Sequence, residues 1–277
     1  MPYPVDAALP RVARALEANR PVILTAPPGS GKTTRAAPYL LDLAPEWLGN
    51  KKLILLEPRR LAARMAAGFM ARQRGGSVGD EIGYRIRLEN KTSARTRIEI
   101  LTEGLLTQRL LSDPELADTA CILFDEFHER SLAADTGLAL ALELRAALRP
   151  DLRLVIMSAT LDTETLEHHL PACEVIEAEG RMFPVETRYA PAFAMQGETF
   201  CNPATVARAV KRAVAAESGS VLVFLPGEGE IRRTEERLRE EALPPDVDVY
   251  ALYGALGKAD QDAAVAPSPP GRRKVVL

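Results

Sequence analysis

The sequence predicts an α/β protein built on a parallel sheet, and three observations carry that prediction. Short apolar runs rich in Val, Ile and Leu alternate with longer segments of helical periodicity. The runs lack polar–apolar alternation, as expected of strands covered on both faces. The residues suited to chemistry fall just after these runs, at the strand carboxyl ends where parallel sheets hold ligands.

The totals set outer limits. The 277 residues suffice for about two domains. Apolar residues make up 47% and charged residues 26%, a soluble globular composition that excludes a disordered chain. No apolar run approaches the roughly 20 residues of a membrane span. The start, Met1-Pro-Tyr-Pro-Val-Asp6, has neither a basic region nor an apolar block, so a signal peptide is excluded and a cytoplasmic protein is expected. Cys121, Cys173 and Cys201 have no ligand spacing, which sets aside structural zinc and leaves small buried hydrophobes in a reducing compartment. Net charge is −3, yet between Arg59 and Arg97 ten Lys and Arg face three Asp and Glu. That asymmetry fits one electropositive face, or equally a set of solvated, salt-bridged helix surfaces.

Residues 9–20 read as a short amphipathic helix, and Val22–Thr25 as the first strand. Next comes Ala26-Pro27-Pro28-Gly29-Ser30-Gly31-Lys32-Thr33-Thr34, leading into a helix. A strand–loop–helix of this kind turns backbone N–H groups inward onto an anion, with the helix N-terminus adding partial positive charge. Gly29 and Gly31 permit the turns and the close approach of phosphate oxygens. Lys32 supplies a full charge to the outer phosphates, and the Thr33 hydroxyl is placed for magnesium. The usual pattern begins with Gly where this chain has Ala26, and an ordinary glycine-rich turn is the alternative.

The strand Lys52–Glu57 precedes Glu57-Pro-Arg-Arg60 and a helix Leu61–Gln73. Arg59 and Arg60 at that helix start suit nucleic-acid phosphates. The strand Arg97–Thr102 leads through Thr102-Glu-Gly104 into the helix Glu103–Ser112. Cys121–Asp125 ends in two acids, Asp125 and Glu126. Asp125 is suited to hold magnesium and Glu126 to activate water for phosphoryl transfer. An acidic helix cap is the competing explanation. A helix Leu132–Leu148 should bury Leu138, Ala141, Leu142 and Leu148 and stop at Pro150. The strand Arg153–Ser158 precedes Ser158-Ala-Thr160. His128 alone reads as structural, and His168 and His169 as helix-surface residues.

The pattern changes at Gly180-Arg-Met-Phe-Pro-Val185. We expect a first domain over 1–183, a linker over 184–202 and a second domain over 203–277. The second series runs helix Ala204–Glu217, strand Val221–Leu225, helix Gly229–Glu241, strand Val247–Leu252, helix Lys258–Val265 and strand Lys274–Leu277, with Glu235 and Arg239 paired on a solvated face. An end inside a strand leads us to expect a fragment of a longer protein.

Taken in order, Gly-Ser-Gly-Lys-Thr-Thr34, Glu-Pro-Arg-Arg60, Thr-Glu-Gly104, Asp-Glu-Phe-His128, Ser-Ala-Thr160, Gly-Arg-Met-Phe-Pro-Val185 and Val-Leu-Val-Phe-Leu-Pro-Gly227 resemble the DEAH-box helicases of superfamily 2. The variants around Ala26 and Asp125, with Leu252-Tyr-Gly-Ala-Leu256 and Arg272-Arg-Lys-Val-Val-Leu277, resemble its bacterial HrpB branch. The resemblance spans the whole chain. It implies a RecA-like P-loop NTPase domain followed by a truncated second RecA-like domain, and ATP-dependent movement on single-stranded RNA with unwinding. By the same resemblance ATP and Mg2+ are the cofactors, residues 26–34 bind phosphate, and Lys32, Asp125 and Glu126 are catalytic. Thr33, Asp125 and Glu126 serve the metal. Arg59, Arg60 and Thr102 contact RNA, while His128, Ser158 and Thr160 couple hydrolysis to motion. Where relatives sandwich adenine between Arg and an aromatic residue, this chain has Phe69 and Val265, so Phe69 is the expected stacking residue and base selectivity should be weak. The arginine-finger motif lies past residue 277, so the chain alone should bind nucleotide but turn it over at least roughly 10³-fold more slowly than a longer protein.

Overall fold

A computed structural model describes residues 3–159, 164–170, 172–180, 184–189, 202–241 and 243–277. The chain divides into two compact units, Met1–Pro184 and Val185–Leu277.

The first unit is an eight-stranded sheet. Its strands in chain order are β1 (Val22–Thr25), β2 (Lys52–Glu57), β3 (Ile82–Ile86), β4 (Glu89–Lys91), β5 (Ile98–Thr102), β6 (Thr119–Phe124), β7 (Arg153–Ser158) and β8 (Glu174–Glu177). The spatial order is β4-β3-β5-β2-β6-β7-β1-β8, and only the β3–β4 pair is antiparallel. The helices are α1 (Leu9–Glu17), α2 (Lys32–Leu43), α3 (Arg60–Gln73), α4 (Glu103–Ser112), α5 (Leu132–Ala147) and α6 (Glu164–His169).

Successive strand residues point to opposite faces, so each apolar run feeds two cores. Val22, Leu24, Leu53, Leu55, Ile98 and Ile100 pack with residues of α1, α2 and α3. Ile23, Ile54, Leu56, Leu101, Ile122 and Phe124 pack with α4 and α5. Each such side chain contributes about 1.5–3 kcal/mol on full burial, which is why the central strands carry almost nothing polar. In α5, Leu138 and Ala141 are buried as expected, but Leu148 is 58% exposed because the helix ends before it.

Three strands were not foreseen. β3 carries Gly83 and an exposed Arg85, β4 is wholly polar, and β8 has Glu at both ends. β4 and β8 are the edge strands, where burial does not impose an apolar run, and β3 lies just inside β4 with its apolar run broken by Gly83 and Arg85. Gly83 is required there: a Cβ would collide with the Lys91 carbonyl oxygen and lie 3.0 Å from Thr92 Cγ2.

The second unit has α7 (Pro203–Ala216), β9 (Val221–Leu222), α8 (Glu228–Glu240), β10 (Val247–Tyr250), α9 (Lys258–Val265) and β11 (Arg273–Val276). Its sheet is parallel, in the order β10-β11-β9. Pro203 sits at the first helical position behind Asn202, whose side chain accepts the Ala204 N–H. Glu235 and Arg239 form the expected surface ion pair at 2.7 Å. Much of the expected linker, residues 190–201 with Cys201 among them, lies outside the described residues, as do Thr160 and residues 181–183. Cys121 is buried and free, whereas Cys173 is only half-buried. His168 and His169 are exposed on α6.

Candidate nucleotide site

The phosphate loop joins β1, which lies between β7 and the edge strand β8, to α2. Ala26 continues β1, its N–H donating to the Ser158 carbonyl oxygen on β7 at 3.0 Å. Gly29 and Gly31 both take positive φ, at 76° and 89°, where a side chain would be strained. Lys32 begins α2 and is 4% exposed. Pro27 faces Gly180 so closely that a Cβ at 180 would overlap its ring. Ala26, Pro27, Pro28 and Ser30 lie between β1 and α2, and Thr34 stands in the first turn of α2.

Asp125 and Glu126 leave the end of β6, two strands from β1. The Lys32 Nζ lies 2.8 Å from Glu126 Oε1. The Thr33 hydroxyl donates to Asp125 Oδ2, and the Glu126 N–H donates to Asp125 Oδ1 at 2.8 Å. The two acids therefore stand against the phosphate loop, and an isolated acidic helix cap does not describe them. Glu126 has φ 49°, a rare left-handed conformation for a non-glycine residue. His128 reads both neighbours: its Nε2 is 3.3 Å from Glu126 Oε2, and its Nδ1 accepts the Ala159 N–H at 3.1 Å. A histidine with no role assigned on its own thus ties the acids to the segment after β7. Ser158 is buried at the end of that strand.

The electrostatics contain a third acid that sequence reasoning missed. Glu57, 3% exposed at the end of β2, has its pKa pushed up to about 9 by burial and by the charges of Asp125 and Glu126. Burial also raises Asp125, to about 6, against the lowering effects of the Thr33 hydroxyl and Lys32. Glu57 and Asp125 are both almost fully buried, but Asp125 also accepts from the Thr33 hydroxyl, so Glu57 is the carboxyl pushed furthest toward holding its proton. The signal in the sequence was positional: β2 and β6 are neighbours, and each ends in an acid.

Glu57 gives a stability prediction. Its folded pKa exceeds the unfolded value, so the folded state holds the extra proton between about pH 4.5 and 9 and loses stability as pH rises through that window. The melting temperature of the nucleotide-free protein should fall between pH 5 and pH 8.5 by several degrees more than that of Glu57→Gln. Parallel pH dependences for the two proteins would contradict this.

Magnesium fits the donor set. Thr33 and Asp125 already touch, and both offer hard oxygen. Among the described residues no cluster of three His, Cys, Asp or Glu side chains is placed to hold a metal. That accords with an ion that takes one or two protein carboxylates and leaves other positions to phosphate and water.

Arg59 and Arg60 stand at the start of α3, and Thr102 pairs with Glu57 at the neighbouring strand end. These three thus share one edge of the sheet. Arg59 is 72% exposed and held by Glu129 at 3.0 Å; Arg60 makes no ion pair among the described residues. Part of the wider basic stretch is neutralised: Arg74 pairs with Asp42 and Glu81, Arg85 with Glu99, and Arg95 with Asp80. The uniform electropositive face that composition allowed reduces to a local one. Phe69 is half-buried on α3, and Val265 ends α9 in the other unit.

A phosphate loop after β1, an Asp–Glu pair two strands away after β6 and a histidine tied to the segment after β7 make up one candidate nucleotide site. Residues 8–169 match the DEAD/DEAH box helicase family model, and the chain belongs to that family. Within it, the chain is 48% identical over 274 residues to the ATP-dependent RNA helicase HrpB of Escherichia coli K12, covering 99% of this chain and 33% of that protein. It is 35% identical to the pre-mRNA-splicing factor ATP-dependent RNA helicase prp22 of Schizosaccharomyces pombe, over 95% of this chain and 22% of that one. The crystal structure of the Escherichia coli DEAH/RHA helicase HrpB superposes with a TM-score of 0.88 at 47% identity, over 99% of this chain and 34% of that chain. The chain thus spans about a third of the HrpB relative's length. No helix among the described residues is long and apolar enough to cross a membrane.

Proposed function

We propose that this chain is the nucleotide-binding part of an ATP-dependent RNA helicase, which hydrolyses nucleoside triphosphate to move along and unwind RNA in the cytoplasm. The observation that carries this reading is the 2.8 Å pairing of Lys32 with Glu126 beside the Thr33–Asp125 contact. The loop amides and Lys32 bind the phosphates. Mg2+, held by Thr33 and Asp125, would neutralise charge on the phosphate oxygens. Lys32, paired with Glu126 in this structure, would exchange that carboxylate for phosphate when nucleotide binds. The Glu126 carboxylate then accepts a proton from the attacking water, with His128 fixing its other oxygen. Arg59, Arg60 and Thr102 hold the RNA backbone, and the His128–Ala159 hydrogen bond passes the state of Glu126 to the Ser158–Thr160 segment.

Phosphate release measured with and without single-stranded RNA tests the reading, on this chain and on one extended to the length of its relatives. RNA-stimulated release by the longer chain is expected; its absence would overturn the helicase reading. If only the longer chain turns over, the 277 residues form a nucleotide- and RNA-binding part without turnover of its own. Single-stranded DNA in the same assay decides whether RNA is required. With Phe69 as the stacking residue, ATP and GTP should bind with comparable affinity, because stacking reads any base. A strong preference for ATP would remove Phe69 from this role.

A further inference from the structure

The chain ahead of α1 packs onto the phosphate loop, and no motif in the sequence marks it. Pro4–Ala7 form one 3-10 turn. The Val5 N–H donates to the Ser30 carbonyl oxygen at 3.2 Å, and the Val5 side chain is fully buried in the core. The Tyr3 side chain lies against Gly31: a Cβ there would come within 2.7 Å of Tyr3 Cδ1. Asp6 joins the two ends of the contact. Its Oδ2 accepts the Tyr3 N–H at 2.9 Å, and its Oδ1 accepts Arg35 Nε, in the first turn of α2, at 2.9 Å. The Arg35 guanidinium sits 5.7 Å from the Tyr3 ring centroid. The Tyr3 hydroxyl is 3.4 Å from Gln73 Nε2 on α3, one turn beyond Phe69.

We propose that Tyr3 is a positioning residue of the nucleotide site, its ring and the Asp6–Arg35 pair holding the phosphate loop in its binding conformation. Gly31 has no side chain and a left-handed backbone, so nothing in the loop itself limits its motion on that side. The ring occupies the place a Cβ would take and restricts the turn from outside. A loop whose amides already point inward pays less ordering entropy when an anion arrives. The inference rests on reading residues 26–34 as a nucleotide loop.

The test uses the intact chain, Tyr3→Ala, Tyr3→Phe and Asp6→Asn. Amide hydrogen exchange of residues 29–34 without nucleotide should speed about tenfold in Tyr3→Ala and stay near the parent rate in Tyr3→Phe. Affinity for Mg-ADP should fall about tenfold in Tyr3→Ala, be retained in Tyr3→Phe, and fall less in Asp6→Asn, where the ring remains. Unchanged loop exchange in Tyr3→Ala would overturn the proposal. So would an equal loss in Tyr3→Phe, since the hydroxyl and not the ring would then be acting. If the parent chain binds no ADP, the nucleotide reading fails, and loop exchange alone still decides whether Tyr3 restrains the turn.

Discussion

Replacing Lys32 by alanine is expected to reduce nucleotide turnover by at least ~10²–10³, the cost typical of deleting one preorganised donor at a developing charge. The structure makes the loss larger than a single missing contact. The Lys32 charge lowers the pKa of both Glu57 and Asp125, and its Nζ pairs with Glu126 at 2.8 Å. Without it the carboxyls repel one another and repel the incoming phosphates as well. Affinity for Mg-ADP should therefore fall along with turnover. Phosphate release by Lys32→Ala at the parent rate would place the activity at another site or in a contaminant.

Replacing Glu126 by glutamine should have a different signature. Turnover is expected to fall by about 10²–10⁴, the usual contribution of a general base. Affinity for ATP should hold or rise, because Glu126 competes with phosphate for Lys32 in the nucleotide-free state. Glutamine keeps the shape and the hydrogen bond to His128 but gives up the competing charge. Equilibrium binding and single-turnover hydrolysis, measured on the same protein, separate the two effects. If binding weakens as steeply as hydrolysis, Glu126 orders the loop and does not act as the base.

The central strands were legible because burial on both faces leaves a continuous apolar signature, as in Leu53–Leu56 and Ile122–Phe124. The site was legible where chemistry demands a residue type at a fixed spacing, as with Gly31-Lys32-Thr33 and Asp125-Glu126. β4 and β8 were not legible because edge strands are only partly covered and their composition is free to be polar, and β3 was not because Gly83 and Arg85 interrupt its apolar run. Glu57 was hidden for another reason. Its role depends on β2 lying beside β6, and strand order is not written in any local pattern. Tyr3 was hidden similarly: its partners Gly31, Arg35 and Gln73 come from three later segments. The basic stretch misled in the opposite direction, since Arg74, Arg85 and Arg95 meet acids that adjacency in the chain does not reveal.

The alanine at position 26 carries a lesson about how such loops are recognised. Its backbone is still part of the sheet ladder and it is 2% exposed, so the position asks for a small residue and nothing more. The need for left-handed geometry falls three and five residues later. A pattern that insists on glycine at the opening would discard this chain for lacking a freedom its loop never uses. Smallness at the threshold and glycine at the bends are separate demands, and a search that scores them separately would find its distant cousins.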